Sequence, residues 1–306
     1  MPATNITLLS QMLSLIPTSL INKQVDAHDT DKHAKGFDTR SHLVAMMLFH
    51  LGKLGSLREV SDGMRSATGN LNHLGVVKPA TKSNLSYQNR ERSWEVFRDI
   101  YLNLLEQLEP SLKKRKQYAA RLKRKIFLVD STTISLALSL YDWAHFRRRK
   151  GGIKLHTVLD YDSALPVFIS LSEANKHDSK GVEEFSAPQG SVVVADRAYM
   201  DFKWLKDLDS SGVFFVTRLK SNVDWVAIEE RYDNKLEGEE CDCTIKLIGS
   251  RAKSNYPDEL RIVRIYDKKN EQWLTFVTNN MFWTADTISD LYRARWEIET
   301  FFKTIK

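Results

Sequence analysis

The spacing of apolar residues changes once along the 306-residue chain, near residue 120, and this change constrains the fold more than any other feature. Before it, apolar residues recur at helical intervals, as in Leu43–Leu54 and Trp94–Leu104, and no segment alternates as a strand does. After it, short apolar runs of strand length, such as Ile126–Val129 and Val192–Ala195, alternate with helical segments. The sequence therefore predicts an all-α part followed by an α/β part.

The same change sets the predicted domain boundaries. We expect a helical domain over residues 1–112, a basic linker over 113–125 and an α/β domain over 126–306. Within the last, residues 222–280 contain short strand-like runs separated by charged turns, which predicts a β-rich insertion. A long helix is predicted from its N-cap, Thr284, to the end of the chain.

Positive charge is concentrated in the first two thirds of the chain. The net charge is +6, but residues 1–220 carry +9 and residues 221–306 carry −3. The segment Lys113–Lys125 has eight basic residues and no acidic one, and Arg147-Arg148-Arg149-Lys150 is a second block. Such blocks are typical of polyanion contacts, although a solvated linker or turn explains either block equally well.

Some protein classes are excluded by composition. A hydrophobic fraction of 42% is enough for an ordinary core, which excludes wholesale disorder. No apolar run approaches the roughly 18 residues of a membrane helix, and the N-terminus lacks a signal-peptide pattern. Cys241 and Cys243 lack the second pair that a structural zinc site would need. We therefore expect a cytoplasmic protein that makes no membrane contact.

Two polar segments of the helical domain could contact DNA. Ser56–Met64 is followed by a turn with Gly and Asn, and then by Thr81–Arg90, which includes Lys82 and Arg90. Lys, Arg, Ser, Asn and Gln side chains suit phosphate and base-edge contacts. The pattern fits a reader of the helix-turn-helix type, and it fits an ordinary helical bundle nearly as well.

Two aspartates follow two apolar runs. Asp130 comes directly after Ile126–Val129, and Asp196 comes directly after Val192–Ala195. In open α/β sheets, ligands bind beyond the carboxyl ends of the strands, so two such carboxylates could share a hard cation. A single aspartate in this position is more often a turn residue or a helix N-cap.

The predicted terminal helix carries a polar stripe beside an apolar one. At about 100° per residue, the four polar residues share a stripe about 60° wide at the border of the buried face. A cleft would lie at such a border, although an ordinary surface pair between Arg295 and Glu299 is an alternative. The polar stripe consists of Tyr292, Arg295, Glu299 and Lys306, and the apolar stripe of Leu291, Ile298, Phe302 and Ile305.

The helix spacing Y-x2-R-x3-E-x6-K strongly resembles the signature of the DDE transposases of the insertion-sequence-4 type. Three further motifs of that family have look-alikes in the same order: Asp130-Ser131-Thr132-Thr133, Gly152-Ile153-Lys154-Leu155-His156 and Asp196-Arg197-Ala198-Tyr199. The resemblance covers residues 120–306. The first 110 residues resemble the helical domain that often precedes this catalytic domain.

The resemblance implies an RNase H-like mixed sheet with a β-rich insertion before the glutamate helix. Asp130, Asp196 and Glu299 would be the catalytic triad and would hold two Mg²⁺ ions, which Mn²⁺ could replace. The reaction would be in-line displacement at a DNA phosphodiester, with nicking followed by strand transfer at terminal inverted repeats. Tyr292, Arg295 and Lys306 would grip phosphates near the transposon end.

The family also implies partners and leaves some roles open. We expect double-stranded DNA as substrate, a homodimer on paired transposon ends, and association with the nucleoid. Arg197 and Tyr199 would contact DNA or fix Asp196, and Trp273 and Trp283 would stack on a base or belong to the core. Asp178 would lie near the metals or cap a turn.

Two alternative functions remain at this point: an RNase H-like nuclease that cuts without joining, and a non-catalytic DNA-binding remnant. The chain stops at Lys306 in mid-helix without a Gly, Asn or Pro stop signal, so we also expect a truncated C-terminus with weakened stability or activity.

Overall fold

The computed structural model describes most of the chain, which divides into two compact units. The units are Met1–Ser111 and Leu112–Lys306. The described residues are 4–67, 70–112, 122–136, 151–173, 177–231, 241–268 and 270–305. Within them, no helix is both long enough and apolar enough to cross a membrane.

The first unit is helical, as its apolar spacing predicts. Two apolar clusters hold it together: one includes Val44, Met64 and Leu85, and the other includes Ile21 and Val96. Its helices are α1 (Thr4–Ser14), α2 (Thr18–His28), α3 (Thr39–Leu51), α4 (Leu57–Ser66), α5 (Lys82–Glu91) and α6 (Glu95–Leu112).

The connection between α4 and α5 differs from that of a helix-turn-helix. The side chains of Ser56 and Thr81 cap the two helices by accepting backbone N–H groups, and the helices pack against each other. A 3₁₀ helix, Leu71–Leu74, lies between them. The connection is therefore longer than the turn of about three or four residues that defines the motif.

The second unit is built on one mixed sheet. Within the described residues, nine strands follow the order β3-β2-β1-β4-β5-β9-β8-β7-β6. The strands are β1 (Ile126–Leu136), β2 (Gly151–Asp160), β3 (Leu165–Glu173), β4 (Val192–Ala195), β5 (Phe214–Arg218), β6 (Trp225–Glu230), β7 (Cys241–Leu247), β8 (Leu260–Asp267) and β9 (Gln272–Thr278).

Strand directions define the fold class. β1, β2 and β3 pair antiparallel, and β1, β4 and β5 pair parallel. These five strands have the RNase H-like arrangement, so the predicted α/β fold class is confirmed. β6 to β9 are all antiparallel and extend the sheet through the pairing of β9 with β5.

Helices cover the two faces of this sheet. They are α7 (Phe202–Ser210), α8 (Ser250–Asn255), α9 (Ala285–Ala294) and α10 (Trp296–Ile305). Side chains of β1 alternate between the two cores, because successive residues of a strand point to opposite faces. Phe127 and Val129 pack with α7 residues, whereas Leu128 packs with Ile298 and Phe302 of α10.

Three local predictions were wrong. β1 does not end at Asp130: it continues to Leu136, because β2 pairs along its whole length and the β-branched Thr132 and Thr133 favour a strand. The terminal helix breaks at Arg295, where Arg295 N–H bonds the Tyr292 carbonyl in the tighter three-residue pattern. Ile305 is exposed instead of buried. The predicted N-cap is confirmed, since the Thr284 side chain accepts Thr287 N–H.

Candidate active site

Two parallel strands bring Asp130 and Asp196 together. Val129 of β1 is in register with Ala195 of β4, and each aspartate is the next residue. The Asp196 N–H donates to the Val129 carbonyl at 3.4 Å. The Asp196 carboxylate also caps the 3₁₀ helix Arg197–Tyr199 by accepting Ala198 N–H at 2.9 Å. The two aspartates therefore lie side by side on adjacent strands, at the point where β4 ends and β1 continues.

Helix α10 brings the third carboxylate to the same place. Ile298 and Phe302 are buried in the core that α10 shares with β1. Glu299, which lies between them in sequence, has a side chain 28% exposed and is hydrogen-bonded to Arg295.

The guanidinium of Arg295 lies among the three carboxylates. Its Nη1 is 2.8 Å from Asp130 Oδ2, and its Nη2 is 2.6 Å from Glu299 Oε1. Its Nε is 4.0 Å from Asp196 Oδ2. The Arg295 side chain is only 12% exposed. The pair of Arg295 with Glu299 is thus part of a larger, half-buried cluster and is not an ordinary surface pair.

The charge of this cluster is out of balance, because three acidic groups surround one base. Burial raises the pKa of Asp130 to about 6; Arg295 and the Ser131 N–H act against this, whereas Asp196 and Glu299 raise the pKa further. Burial acts to lower the pKa of Arg295, but Tyr292 and the carboxylates raise it above its usual value. The site therefore favours additional positive charge.

The donor set fits a divalent cation, although Arg295 now lies at its centre. Carboxylate oxygens are the ligands that Mg²⁺ and similar hard cations prefer. Within the part of the chain that the structure describes, no three His, Cys, Asp or Glu side chains are grouped closely enough to hold a metal ion. The Nε of Arg295 is buried without a hydrogen-bond partner, so the guanidinium does not match the three carboxylates fully.

A cleft of about 1040 Å³ opens beside the cluster. It lies between α9, α10 and strands β5, β8 and β9. The Tyr292 ring packs on Phe276, with ring centroids 5.0 Å apart, and the Arg295 guanidinium lies 5.6 Å from the Tyr292 centroid. The polar and aromatic lining includes Asp196, Arg218, Tyr266, Lys268, Tyr292, Arg293, Arg295 and Trp296.

Sequence reasoning missed the basic side chains of this cleft. Arg218, Lys268 and Arg293 are far apart in the chain and meet only because β9 pairs with β5 and the helices fold back over the sheet. The net negative charge of residues 221–306 hid Lys268 and Arg293. The sequence signal for these residues was their position alone: Arg218 and Lys268 lie at or next to the end of a strand, and Arg293 lies in a helix.

The other predicted contact residues lie at exposed positions or outside the described residues. Arg197 is exposed next to Asp196, and Lys82 and Arg90 are exposed on α5. Arg90 Nε bonds Glu91 at 2.6 Å. Arg147, Arg148, Lys306 and most of the basic linker lie outside the described residues.

The two candidate tryptophans pack against neighbours. Trp273 lies 5.1 Å from the ring of Tyr266, with the guanidinium of Arg264 4.6 Å from its centroid. Trp283 lies 5.3 Å from the ring of Phe214.

The mixed sheet and the three carboxylates around Arg295 define a protein of the RNase H-like class with a candidate acidic active site. The family model described as the transposase DDE domain matches residues 121–306, which is more than half of the chain. The chain therefore belongs to the DDE transposase family. A second model, a domain of unknown function (DUF4372), matches residues 4–77.

Several curated proteins are similar to this chain. A putative transposase, y4zB, of Sinorhizobium fredii is 30% identical over 72% of this chain and 61% of its own length. A probable transposase for insertion sequence element IS5377 of Geobacillus stearothermophilus is 27% identical, over 71% and 57%. A putative transposase for insertion sequence element IS4SA of a Synechocystis species is 26% identical, over 82% and 68%. The chain thus spans less than two thirds of the first two relatives.

A solved structure of endonuclease V from Bacillus subtilis is similar at 9% identity and a TM-score of 0.25, covering 64% of this chain and 82% of the other. A likeness at that score adds nothing to the fold described above.

Proposed function

We propose that this chain is a DDE transposase of the insertion-sequence-4 type, which nicks DNA at terminal inverted repeats and joins the freed ends to a target. One observation carries the proposal: Asp130, Asp196 and Glu299, from three separate elements, surround one cationic group. Membership of the DDE transposase family supports it.

In this proposal the three carboxylates share one role, which is to bind metal ions. Asp130, Asp196 and Glu299 would hold two Mg²⁺ ions, for which Mn²⁺ can substitute. When bound, such ions activate the attacking hydroxyl and stabilise the leaving oxygen of an in-line displacement. The strands β1 and β4 and the helix α10 bring the three carboxylates around Arg295, so binding of the ions would require the guanidinium to move out.

Arg295 has two roles in the proposal. Without divalent cations it neutralises part of the carboxylate charge through its contacts at 2.8 and 2.6 Å. Once the carboxylates are neutralised by other cations, its guanidinium is released to clamp a DNA phosphate with two donors. In the position that the structure shows, the Tyr292 ring packs beside the guanidinium.

DNA contacts extend from this point in both directions along the chain. Arg197 and Lys306 would bind phosphates near the cut, and the basic side chains of the cleft would follow the strand. Lys82 and Arg90, on the exposed side of α5 in the helical domain 1–112, would bind duplex DNA. Arg147 and Arg148 of the α/β domain would bind it too. We also propose that two copies pair the two transposon ends, and that the protein is associated with the nucleoid.

The test is cleavage of duplexes that carry the candidate inverted repeats, with and without Mg²⁺. We expect Mg²⁺-dependent nicks from the wild type and none from Asp130→Asn, Asp196→Asn or Glu299→Gln. Asp207→Asn is the matched control, because Asp207 is exposed on α7 and should retain full activity. Cleavage that survives all three carboxylate changes would refute the assignment.

A second assay separates the transposase from the two alternatives. Pre-cleaved ends are incubated with a target plasmid, and joined products are counted. Nicks without joined products would mean a nuclease that cuts only. DNA binding without either reaction, unchanged in the three variants, would mean a non-catalytic DNA-binding protein.

A further inference from the structure

A buried polar cluster lies on the face of the sheet opposite Arg295. Side chains alternate along β1, so Asp130 faces α10 whereas Ser131 faces the other side. There the Ser131 hydroxyl donates to Asp178 Oδ1 at 2.8 Å and also hydrogen-bonds to Tyr199. The residue after one catalytic aspartate is thus connected to the turn that follows the other.

His156 is the centre of this cluster. It lies opposite Ser131 in the pairing of β1 with β2 and is completely buried. Its Nδ1 is 2.9 Å from the Tyr199 hydroxyl, and its Nε2 is 2.9 Å from Ser172 Oγ in β3. Because both ring nitrogens are engaged, the orientation of the imidazole is fixed.

The ring is also held from above by Gly181. A Cβ at this position would lie 2.2 Å from His156 Cγ, which means that the backbone of the 3₁₀ helix Asp178–Gly181 packs directly on the imidazole. Lys154 on β2 pairs with Asp178 at 3.2 Å and ties the start of the same helix to the sheet.

Tyr199 connects this rigid group to the active site. Its side chain is fully buried, and its backbone N–H donates to the Asp196 carbonyl at 2.9 Å. Asp196 is also held from β5, where the Thr217 hydroxyl donates to the same carbonyl at 3.3 Å. The position of the Asp196 carboxylate therefore depends on a turn that is anchored through the Tyr199 hydroxyl.

We propose that Tyr199 and His156 are positioning residues, which set the separation between the Asp196 and Asp130 carboxylates from the opposite face of the sheet. The proposal rests on the proposed function, because it assigns these residues to the same carboxylate site. Sites that hold metal ions need their ligands fixed within about 0.5 Å, and a misplacement of about 1 Å can lower a rate roughly 100-fold.

The test uses Tyr199→Phe, which keeps the buried ring and removes only the hydroxyl. We expect its affinity for Mn²⁺, measured by calorimetry without DNA, to fall roughly 10-fold, because the carboxylates are no longer held in place. The single-turnover cleavage rate should fall roughly 10- to 100-fold, whereas the DNA concentration for half-maximal rate stays unchanged.

Tyr256→Phe is the matched control. Tyr256 is 1% exposed, and its hydroxyl hydrogen-bonds to Asp209, away from the carboxylate cluster. It should keep the wild-type Mn²⁺ affinity and cleavage rate. His156→Asn, which can still present a polar group to Tyr199, should retain more Mn²⁺ affinity than His156→Ala.

Four possible results would contradict the positioning role, the proposed function or both. Wild-type Mn²⁺ affinity in Tyr199→Phe, or equal losses in Tyr199→Phe and Tyr256→Phe, would overturn the positioning role. A wild type that cleaves no DNA but binds Mn²⁺ more tightly than Tyr199→Phe does would overturn the proposed function and leave the positioning role intact. A wild type that neither cleaves DNA nor binds Mn²⁺ would overturn both.

Discussion

Replacing Arg295 by glutamine should destabilise the protein mainly when divalent cations are absent. The change removes the two contacts of the guanidinium, at 2.8 Å to Asp130 and 2.6 Å to Glu299. A hydrogen bond to a charged group contributes about 1.5–3 kcal/mol, and breaking a fully buried ion pair costs about 3–5 kcal/mol. The side chains of Asp130 and Glu299 are 17% and 28% exposed, so solvent reduces this, and we expect a loss of roughly 2–4 kcal/mol.

The loss should depend on pH. The pKa of Asp130 in the folded protein, about 6, is above its ordinary value of 3.8. A carboxyl group with a raised folded-state pKa destabilises the fold above that pKa, and the penalty disappears as the pH falls below the unfolded value. Because Arg295 holds this pKa down, Arg295→Gln raises it further. The variant should therefore be closest to the wild type near pH 5 and furthest from it near pH 8.

The assay is thermal unfolding in EDTA and in Mg²⁺ or Mn²⁺. For a unit of this size, about 1 kcal/mol corresponds to roughly 2–4 °C, so Arg295→Gln should unfold roughly 4–16 °C lower in EDTA at pH 8. Divalent cations should close most of this gap, because they stabilise the state that binds them, and the variant should bind Mn²⁺ more tightly than the wild type.

Arg293→Gln is the control for this prediction. Arg293 is 75% exposed and pairs with Asp290 on the helix surface, so the unfolding temperature of the variant should differ from that of the wild type by less than about 2 °C. The reasoning is refuted if Arg295→Gln and the wild type unfold at the same temperature in EDTA, or if Mn²⁺ raises the unfolding temperature of both proteins equally.

Three further predictions follow from contacts in the second unit and its cleft. Gly181→Ala should lower the free energy of unfolding in urea by about 1–3 kcal/mol, because the added Cβ would have no room. Gly55→Ala is the control: its added Cβ would meet only a flexible side chain at 3.5 Å, so the stability should not change. Asp242→Ala should cost about 3–5 kcal/mol by the same method, because it leaves Arg261, whose side chain is 4% exposed, without its carboxylate. Arg218→Gln should weaken DNA binding at all sequences and reduce the slope of log affinity against log salt by about one; an unchanged slope in fluorescence anisotropy would contradict this.

The order of elements could be predicted from the sequence, because it depends on local patterns. The change of apolar spacing near residue 120 marks where helices give way to the sheet, and the fully buried run Val192–Ala195 forms the interior strand β4. The length of a strand depends instead on the strand that pairs with it. β1 runs past Asp130 because β2 supplies backbone partners as far as Leu136. The sequence of β1 does not show which strand it pairs with.

The members of the carboxylate cluster could also be predicted, but the role of Arg295 could not. Helical spacing places Arg295 and Glu299 side by side, which holds even though the helix is broken at Arg295. What spacing cannot show is the number of charges that converge. A guanidinium next to one carboxylate is a surface pair, whereas a guanidinium among three is an internal cation, and only the parallel register of β1 and β4 adds the other two.

This difference in charge supports the proposal that Arg295 has one role without metal ions and another with DNA. Three carboxylates at 17–33% exposure repel one another at a cost that rises as water is excluded. Arg295 lowers that cost but leaves its own Nε unpaired, so the arrangement is stable without being fully satisfied. In the proposal, a cation bound by all three carboxylates would displace the contacts of Arg295 with Asp130 and Glu299, and the guanidinium would stay beside the cleft. Under the proposed function, the same incomplete match would keep the fold stable before DNA arrives and would leave Arg295 available when a phosphate enters.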